Sequence, residues 1–406
     1  MLLCIALLPL ILKHHWERNY HLIALTLACL TAGYYLFGLH APNRVLHELR
    51  DYASFIVLIG SLFVVAGGIH VRFKGESLPW HNCVFLFAGG IIANVIGTTG
   101  ASMLLVRPWI RLNRRRYSGM HTAFFIFLVS NVGGGLTPIG DPPLLLGYLK
   151  GVPFFWVFQN CWKPWLFAMA GLLLIFYVLD RRHHQQAPAE DGADVSIENR
   201  VVFEGRRNLW YLGLILLAVF VTTPPFLREL MMLAAAAGSY FHTPKGIHRA
   251  NAFSFAPIRE VAWLFLGIFV TMIPVLDYMR LHAEALNVVT PSQFFWLTGG
   301  LSSVLDNAPT YLTFFANALG QQGLSLERVA DVRQFLGLGA AQLAAISMGA
   351  VFFGAITYIG NGPNFMVKAV VEQQGKAAPG FFGYIFKYSL PVFVPVLTLV
   401  WFLCFR

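Results

Sequence analysis

Two carboxylates, Asp141 and Asp306, lie deep within apolar stretches of this sequence, and each stands beside residues that break helices. Asp141 belongs to the run S-N-V-G-G-G-L-T-P-I-G-D-P-P, Ser130 to Pro143, in which three glycines in a row, Gly140 and three prolines interrupt the apolar pattern. An ionisable group inside an apolar span is costly and marks function by default. Unwound backbone at that depth is tolerated only where it is buried in protein or lines a cavity. A carboxylate beside free carbonyls, hydroxyls and amides is a ligand set for a hard cation such as sodium. A desolvated carboxylate favours its protonated form when empty and its ionised form beside a cation, so proton and sodium compete for it.

The Asp141 motif has an echo 220 residues on, where Thr357 to Pro363 reads T-Y-I-G-N-G-P. Thr137 aligns with Thr357, Gly140 with Gly360, and Asp141 with the neutral Asn361. Gly89-Gly90 likewise matches Gly299-Gly300, ahead of the polar tips Gly97-Thr98-Thr99 and Asp306-Asn307. Paired interruptions in two hydrophobic halves are the sequence mark of a secondary transporter's binding site. Two sites are expected: Thr98, Thr99, Thr137, Gly140 and Asp141 in one, and Asp306, Asn307, Thr310, Thr357, Gly360 and Asn361 in the other. Each would hold sodium at its carboxylate. Ser130, Asn131 and Asn364 flank the breaks and either line the cavity or satisfy helix ends.

The elements that must position these groups are transmembrane helices. Of 406 residues 57% are hydrophobic and only 12% charged, too little polar surface to clothe a soluble globule. The net charge of +10 sits in short loops between apolar spans, which argues against nucleic-acid binding. The five cysteines have no metal-ligand spacing and read as small hydrophobes. No H-E-x-x-H or G-x-S-x-G motif suggests an enzyme. The reading is an all-α integral membrane protein of two inverted repeats, 1–180 and 208–406, joined by a polar cytoplasmic linker at 181–207. Each repeat has five crossings, a re-entrant hairpin (83–106, 292–320) and a broken helix (119–149, 334–372).

Met1 to Leu12 is expected to be a retained first span. The excess of Lys and Arg, including Arg107, Arg111, Arg114 and Arg206, marks one side as cytoplasmic and places both termini outside. Asp180, Glu260 and Asp277 fall at span ends where water reaches them, and read as structural, as do His70 and His121. His183-His184 reads as solvated linker.

The Ser130–Pro143 motif resembles the S-N-x-G-G-x-x-T-P-I-G-D signature of NhaD-type sodium/proton antiporters, and Leu301 to Thr310, L-S-S-V-L-D-N-A-P-T, resembles their L-S-x-x-x-D-N hairpin. These belong to the ion transporter superfamily, with arsenite permeases, citrate transporters and divalent-anion/sodium symporters. The resemblance implies a homodimer in a bacterial inner membrane, with a scaffold supporting a transport domain that moves as an elevator. It implies functional roles for Thr137, Asp141, Asp306 and Asn307, sodium and protons as the transported ions, and no other cofactor. Pro142 and Pro143 depart from the antiporters, which carry hydroxyl residues there. The hairpin tips also lack the Ser-Asn-Thr of the divalent-anion symporters. The expected function is sodium/proton antiport, with coupled uptake of citrate or a related carboxylate as the alternative and oxyanion export as a third.

Overall fold

The structure is a computed structural model that describes the chain apart from residues 2–3, 6–7, 9–11, 75–77, 186–199, 222, 283–287 and 377. Most of the expected first span therefore lies outside the described residues. Helix α1 (Lys13–Gly33) leads to α2 (Pro42–Gly67), which serves as a spine. Strand β1 (His70–Lys74) precedes α3 (Pro79–Leu112), α4 (Gly119–Leu128), α5 (Pro142–Leu149) and α6 (Trp156–Gln185). Strand β2 (Arg200–Glu204) opens the second half. It continues with α7 (Asn208–Ala218), α8 (Leu227–His242), α9 (Lys245–Ala250), α10 (Ala256–Leu281), α11 (Pro291–Ser302) and α12 (Asn307–Gly320). The chain ends with α13 (Val329–Leu338), α14 (Ala340–Phe353), α15 (Gly362–Gln373), the short α16 (Phe381–Tyr384) and α17 (Val394–Cys404).

Among the described residues, six helices are long and apolar enough to cross a membrane, which makes this a multi-pass membrane protein. The bent pair α13 and α14, taken as one span, makes up to seven, and most of the expected first span lies outside the described residues. Pro224 and Pro225 separate α7 from α8, leaving them at 11 and 16 residues, each shorter than a full span. The all-α expectation also missed a ribbon: β1 pairs antiparallel with β2, His70 opposite Glu204 and Lys74 opposite Arg200. Helix α6 runs on to Gln185, so Arg181 to His184 are helical, and 186–199 of the expected linker falls outside the described residues.

The segment α3, long enough to cross a membrane, instead doubles back. A straight helix would hold Asn82 and Asn113 roughly 45 Å apart, yet Asn82 Nδ2 donates to Asn113 Oδ1 at 2.8 Å, and the Phe85 and Trp109 rings lie 5.3 Å apart. The fold-back is at Gly97, whose φ of 78° and ψ of 153° suit only glycine. Helices α11 and α12 form a second such hairpin, with Phe294 and Phe314 rings 6.5 Å apart and Gln321 Nε2 donating to the Val288 carbonyl at 2.8 Å.

The two hairpins open toward opposite ends of α2. Arg44 near its start pairs with Glu327, just beyond hairpin two, at 2.6 Å. Phe63, Ala66 and Gly67 at its far end face Gly100 to Arg107 of hairpin one.

Several expected exposures are corrected by packing. Asp180 is fully buried, not water-accessible, because Arg116 and Asn82 close over it. Glu48 is buried too, bonded by Lys150 at 2.9 Å. Asp141 is thus not the only carboxylate withdrawn from water. Asp277 pairs with Arg44 at 2.6 Å, and Glu260 is exposed as expected. His70 bonds Asn251 at 2.6 Å, a structural role.

Candidate functional site

The two broken helices are built alike. Helix α4 ends at Leu128, the chain makes a short 3₁₀ turn at Val132–Gly134, and α5 restarts with Pro142 and Pro143 in its first turn, where no backbone N–H is needed. Helix α14 ends at Phe353 and α15 restarts after Asn361. In each break a threonine pins the turn. Thr137 Oγ1 donates to the Asn94 carbonyl at 2.6 Å and accepts from Gly140 N. Thr357 Oγ1 donates to the Ser303 carbonyl at 2.7 Å and accepts from Gly360 N. The glycine carbonyls then dock the hairpin tips: Gly140 accepts from Thr98 N at 2.7 Å, and Gly360 from Asn307 N at 3.2 Å.

These glycines have no room for a side chain. A Cβ on Gly140 would run into the Gly134 carbonyl, and one on Gly360 would meet Ser302 O at 2.6 Å and Gly354 O at 2.7 Å. Gly360→Ala is expected to cost about 1–3 kcal/mol of stability by overpacking. Gly362→Ala, where nothing lies within 4 Å, serves as the control in a thermal melt.

Asp141 and Asn361 occupy the N-cap positions of α5 and α15, but neither side chain caps its helix. Both turn inward instead. The Asp141 carboxylate, 1% exposed, accepts from Thr98 Oγ1 at 2.7 Å, Asn307 Nδ2 at 2.6 Å and Asn361 Nδ2 at 3.1 Å. Its three partners come from the first hairpin tip, the second hairpin tip and the second break. All sit where a helical segment begins, so N-terminal ends of helices converge on one carboxylate and offset its charge.

Thr98, Asp141, Asn307 and Asn361, which the sequence divides between two sites, thus meet at one carboxylate. Asn361 Nδ2 also reaches Asn131 Oδ1 at 3.1 Å and the Ser130 carbonyl at 3.2 Å. Asn131 donates to Asn364 Oδ1 at 2.7 Å, and Asn364 donates to the carbonyls of Gly354 and Thr357. Ser130 Oγ meets Ser102 Oγ at 2.7 Å. Ser130, Asn131 and Asn364 thus stitch the two breaks together.

Asp306 is placed differently. It is half-buried, and its carboxylate caps α12 by accepting from Ala308 N at 3.0 Å, while Thr310 Oγ1 bonds its carbonyl at 2.9 Å. It is the next residue, Asn307, that reaches Asp141. Thr99 is half-buried and lines a cavity of about 30 Å³ with Thr98, Gly140 and Asp141.

Asn94 was overlooked in the sequence. It donates to the Gly133 carbonyl at 2.6 Å and accepts from Leu136 N at 2.9 Å, tying hairpin one to the break. Its signal was available, a lone amide in an apolar hairpin arm.

The polar groups around Asp141 can present either a hydrogen or an oxygen, because an amide offers both ends and a hydroxyl both roles. Asn307 Oδ1 is buried with no hydrogen-bond partner, an acceptor beside the carboxylate. Such a set fits a small cation as readily as a bare carboxylate.

The chain matches the sequence model of the CitMHS_2 family, described as "Putative citrate transport", over residues 1–405. It belongs to this family. Membership places it in the citrate-transporter-like group of ion transporters and gives it a transport role, not an enzymatic one. No curated protein matches the chain.

Proposed function

We propose that this protein exchanges sodium for protons by alternating access, with Asp141 holding either a proton or a sodium ion. The observation that carries this reading is the Asp141 carboxylate at the junction of two hairpins and two helix breaks, with the unpartnered Asn307 Oδ1 beside it. In the structure the amides of Asn307 and Asn361 donate to the carboxylate. When sodium binds, the same amides rotate to present oxygen, and the Thr98 hydroxyl turns its lone pairs inward. Asp306, at the tip of hairpin two, contributes negative potential to the centre.

The matching docking of both hairpin tips on Gly140 and Gly360 supports an inverted-repeat origin. Movement of hairpins and breaks against α2 and α10 in a homodimer follows from this reading, with the arginine-rich end cytoplasmic and both termini periplasmic.

The family description favours a second reading, sodium-coupled uptake of citrate or a related carboxylate. Proteoliposomes with an internal pH dye distinguish the two. Under the first reading, sodium pulses produce internal pH changes without citrate and potassium pulses do not. Sodium accumulation that requires citrate establishes the second and removes the first.

A further inference from the structure

We infer that the side-chain amides of Asn361, Asn131 and Asn364 turn as one unit when a cation binds at Asp141, and so carry ion binding into the second helix break. The inference rests on the reading of Asp141 as the ion-holding group. It assigns Asn131 and Asn364 as positioning residues, which act on the ion only through Asn361.

The direction of the chain is set at its far end. Backbone carbonyls only accept, and Asn364, fully buried, donates to the carbonyls of Gly354 at 2.8 Å and Thr357 at 3.0 Å. Its oxygen is thereby left to face Asn131, whose Nδ2 donates to it at 2.7 Å and to the Ile126 carbonyl at 2.9 Å. Asn131 Oδ1 in turn faces Asn361, which spends its N–H groups on Asn131 at 3.1 Å, the Ser130 carbonyl at 3.2 Å and Asp141 at 3.1 Å. Each amide therefore fixes the next. Asn307 differs: its Nδ2 bonds Asp141 and its buried Oδ1 has no hydrogen-bond partner, so it turns without disturbing such a chain.

A cation at Asp141 takes oxygen from Asn361, not hydrogen. Turned alone, Asn361 would set that side chain's polarity against Asn131 Oδ1 and the Ser130 carbonyl, and buried oxygens left facing each other without a proton are costly. Turning Asn131 cures the first contact and moves the conflict to Asn364. Turning Asn364 moves it to Gly354 and Thr357, whose carbonyls cannot change role. The break itself then has to move.

What moves is the seat of hairpin two. Thr357 Oγ1 holds the Ser303 carbonyl, and the turn it begins ends at Gly360, whose carbonyl takes Asn307 N. The chain is also one-sided. Shifted by the 220-residue offset of the two motifs, Asn364 falls on Leu144 and Asn131 on Val351, so the first break folds without it. An amide chain needed only to build a break would serve both.

Hydrogen exchange of the purified full chain in nanodiscs, read by mass spectrometry over residues 354–361, tests the relay in sodium against potassium. The reporters are the amides of Ala355, Ile356, Ile359 and Gly360, all bonded within the break. Asn364→Leu cuts the chain at its far end. Asn364→Ser, whose hydroxyl donates to one carbonyl and accepts from Asn131 but has no second end to present, reads the same point should Asn364→Leu fold poorly. Sodium is expected to speed exchange at the break severalfold in wild type and to leave it unchanged in both Asn364 variants and in Asp141→Asn. The rise in melting temperature that sodium gives wild type is expected to persist in the Asn364 variants and to vanish in Asp141→Asn.

A sodium-dependent melt with unchanged exchange at the break overturns the relay and leaves the ion at Asp141. So does a sodium increment that survives in the Asn364 variants, the mark of a merely structural role. A sodium effect that is missing from wild type, or equal in wild type and Asp141→Asn, removes the ion-holding reading of Asp141 and the relay with it.

Discussion

Asp141→Asn is expected to abolish sodium-dependent proton movement while leaving a folded protein. The substitution keeps the shape of the side chain and removes its charge. The three donors around it can adapt: Asn361 and Thr98 still find one oxygen, and Asn307 can rotate its amide so that its free oxygen accepts from the new NH₂. The loss of charge assistance in those bonds costs about 1 kcal/mol, partly offset because a buried charge no longer has to be desolvated.

Transport has no such escape. A neutral amide takes up no proton and brings no charge to balance a cation, so exchange at this centre is expected to end. Flux in proteoliposomes, normalised to reconstituted protein, is the measurement, with a thermal melt alongside. Retention of more than about a tenth of wild-type sodium-dependent flux, a deficit of less than about 1.4 kcal/mol, would refute an ion-holding role for Asp141. Asp306→Asn is expected to be milder. Asparagine caps a helix as well as aspartate, and the group bonded to Asp141 is Asn307.

The contrast between these two carboxylates shows what the sequence could and could not reveal. Glycine and proline act locally, so the breaks at Gly133–Pro143 and Thr357–Pro363, the fold-back at Gly97 and the burial of Asp141 were legible. The pairing of parts was not, because it depends on which tips meet in space. Thr137 and Thr357 have the chemistry of ligands and the same spacing in both motifs, yet both spend their hydroxyls on backbone turns. Asp306 and Asn307 are adjacent, and only the helical start at Asn307 decides that the acid caps while the amide reaches inward.

Asp180 was misplaced for a related reason. Its position near a span end suggested water, but burial there is set by Arg116, a residue 64 positions away. The ribbon of β1 and β2 was likewise hidden, since its two five-residue strands lie on either side of four helices.

Asp180→Ala is expected to be the most destabilising single change outside the ion site. The Asp180 side chain is fully buried and that of Arg116 is 8% exposed. The carboxylate takes the Arg116 guanidinium and the Asn82 amide at 2.8 Å, with His121 Nε2 at 3.2 Å. Removing it takes the Asp180 charge away from a buried guanidinium, and breaking a buried pair in this way costs about 3–5 kcal/mol. The damage extends to hairpin one, because Asn82 holds the far arm through Asn113 and is itself oriented by Asp180.

Replacing both charges with apolar residues of similar volume, Arg116→Met with Asp180→Leu, removes the broken pair altogether and should recover most of the stability. A melt that ranks wild type and the double variant well above Asp180→Ala supports a mainly electrostatic penalty. A double variant no more stable than Asp180→Ala would show that the Asn82 link, not the charge pair, holds the mouth of the hairpin.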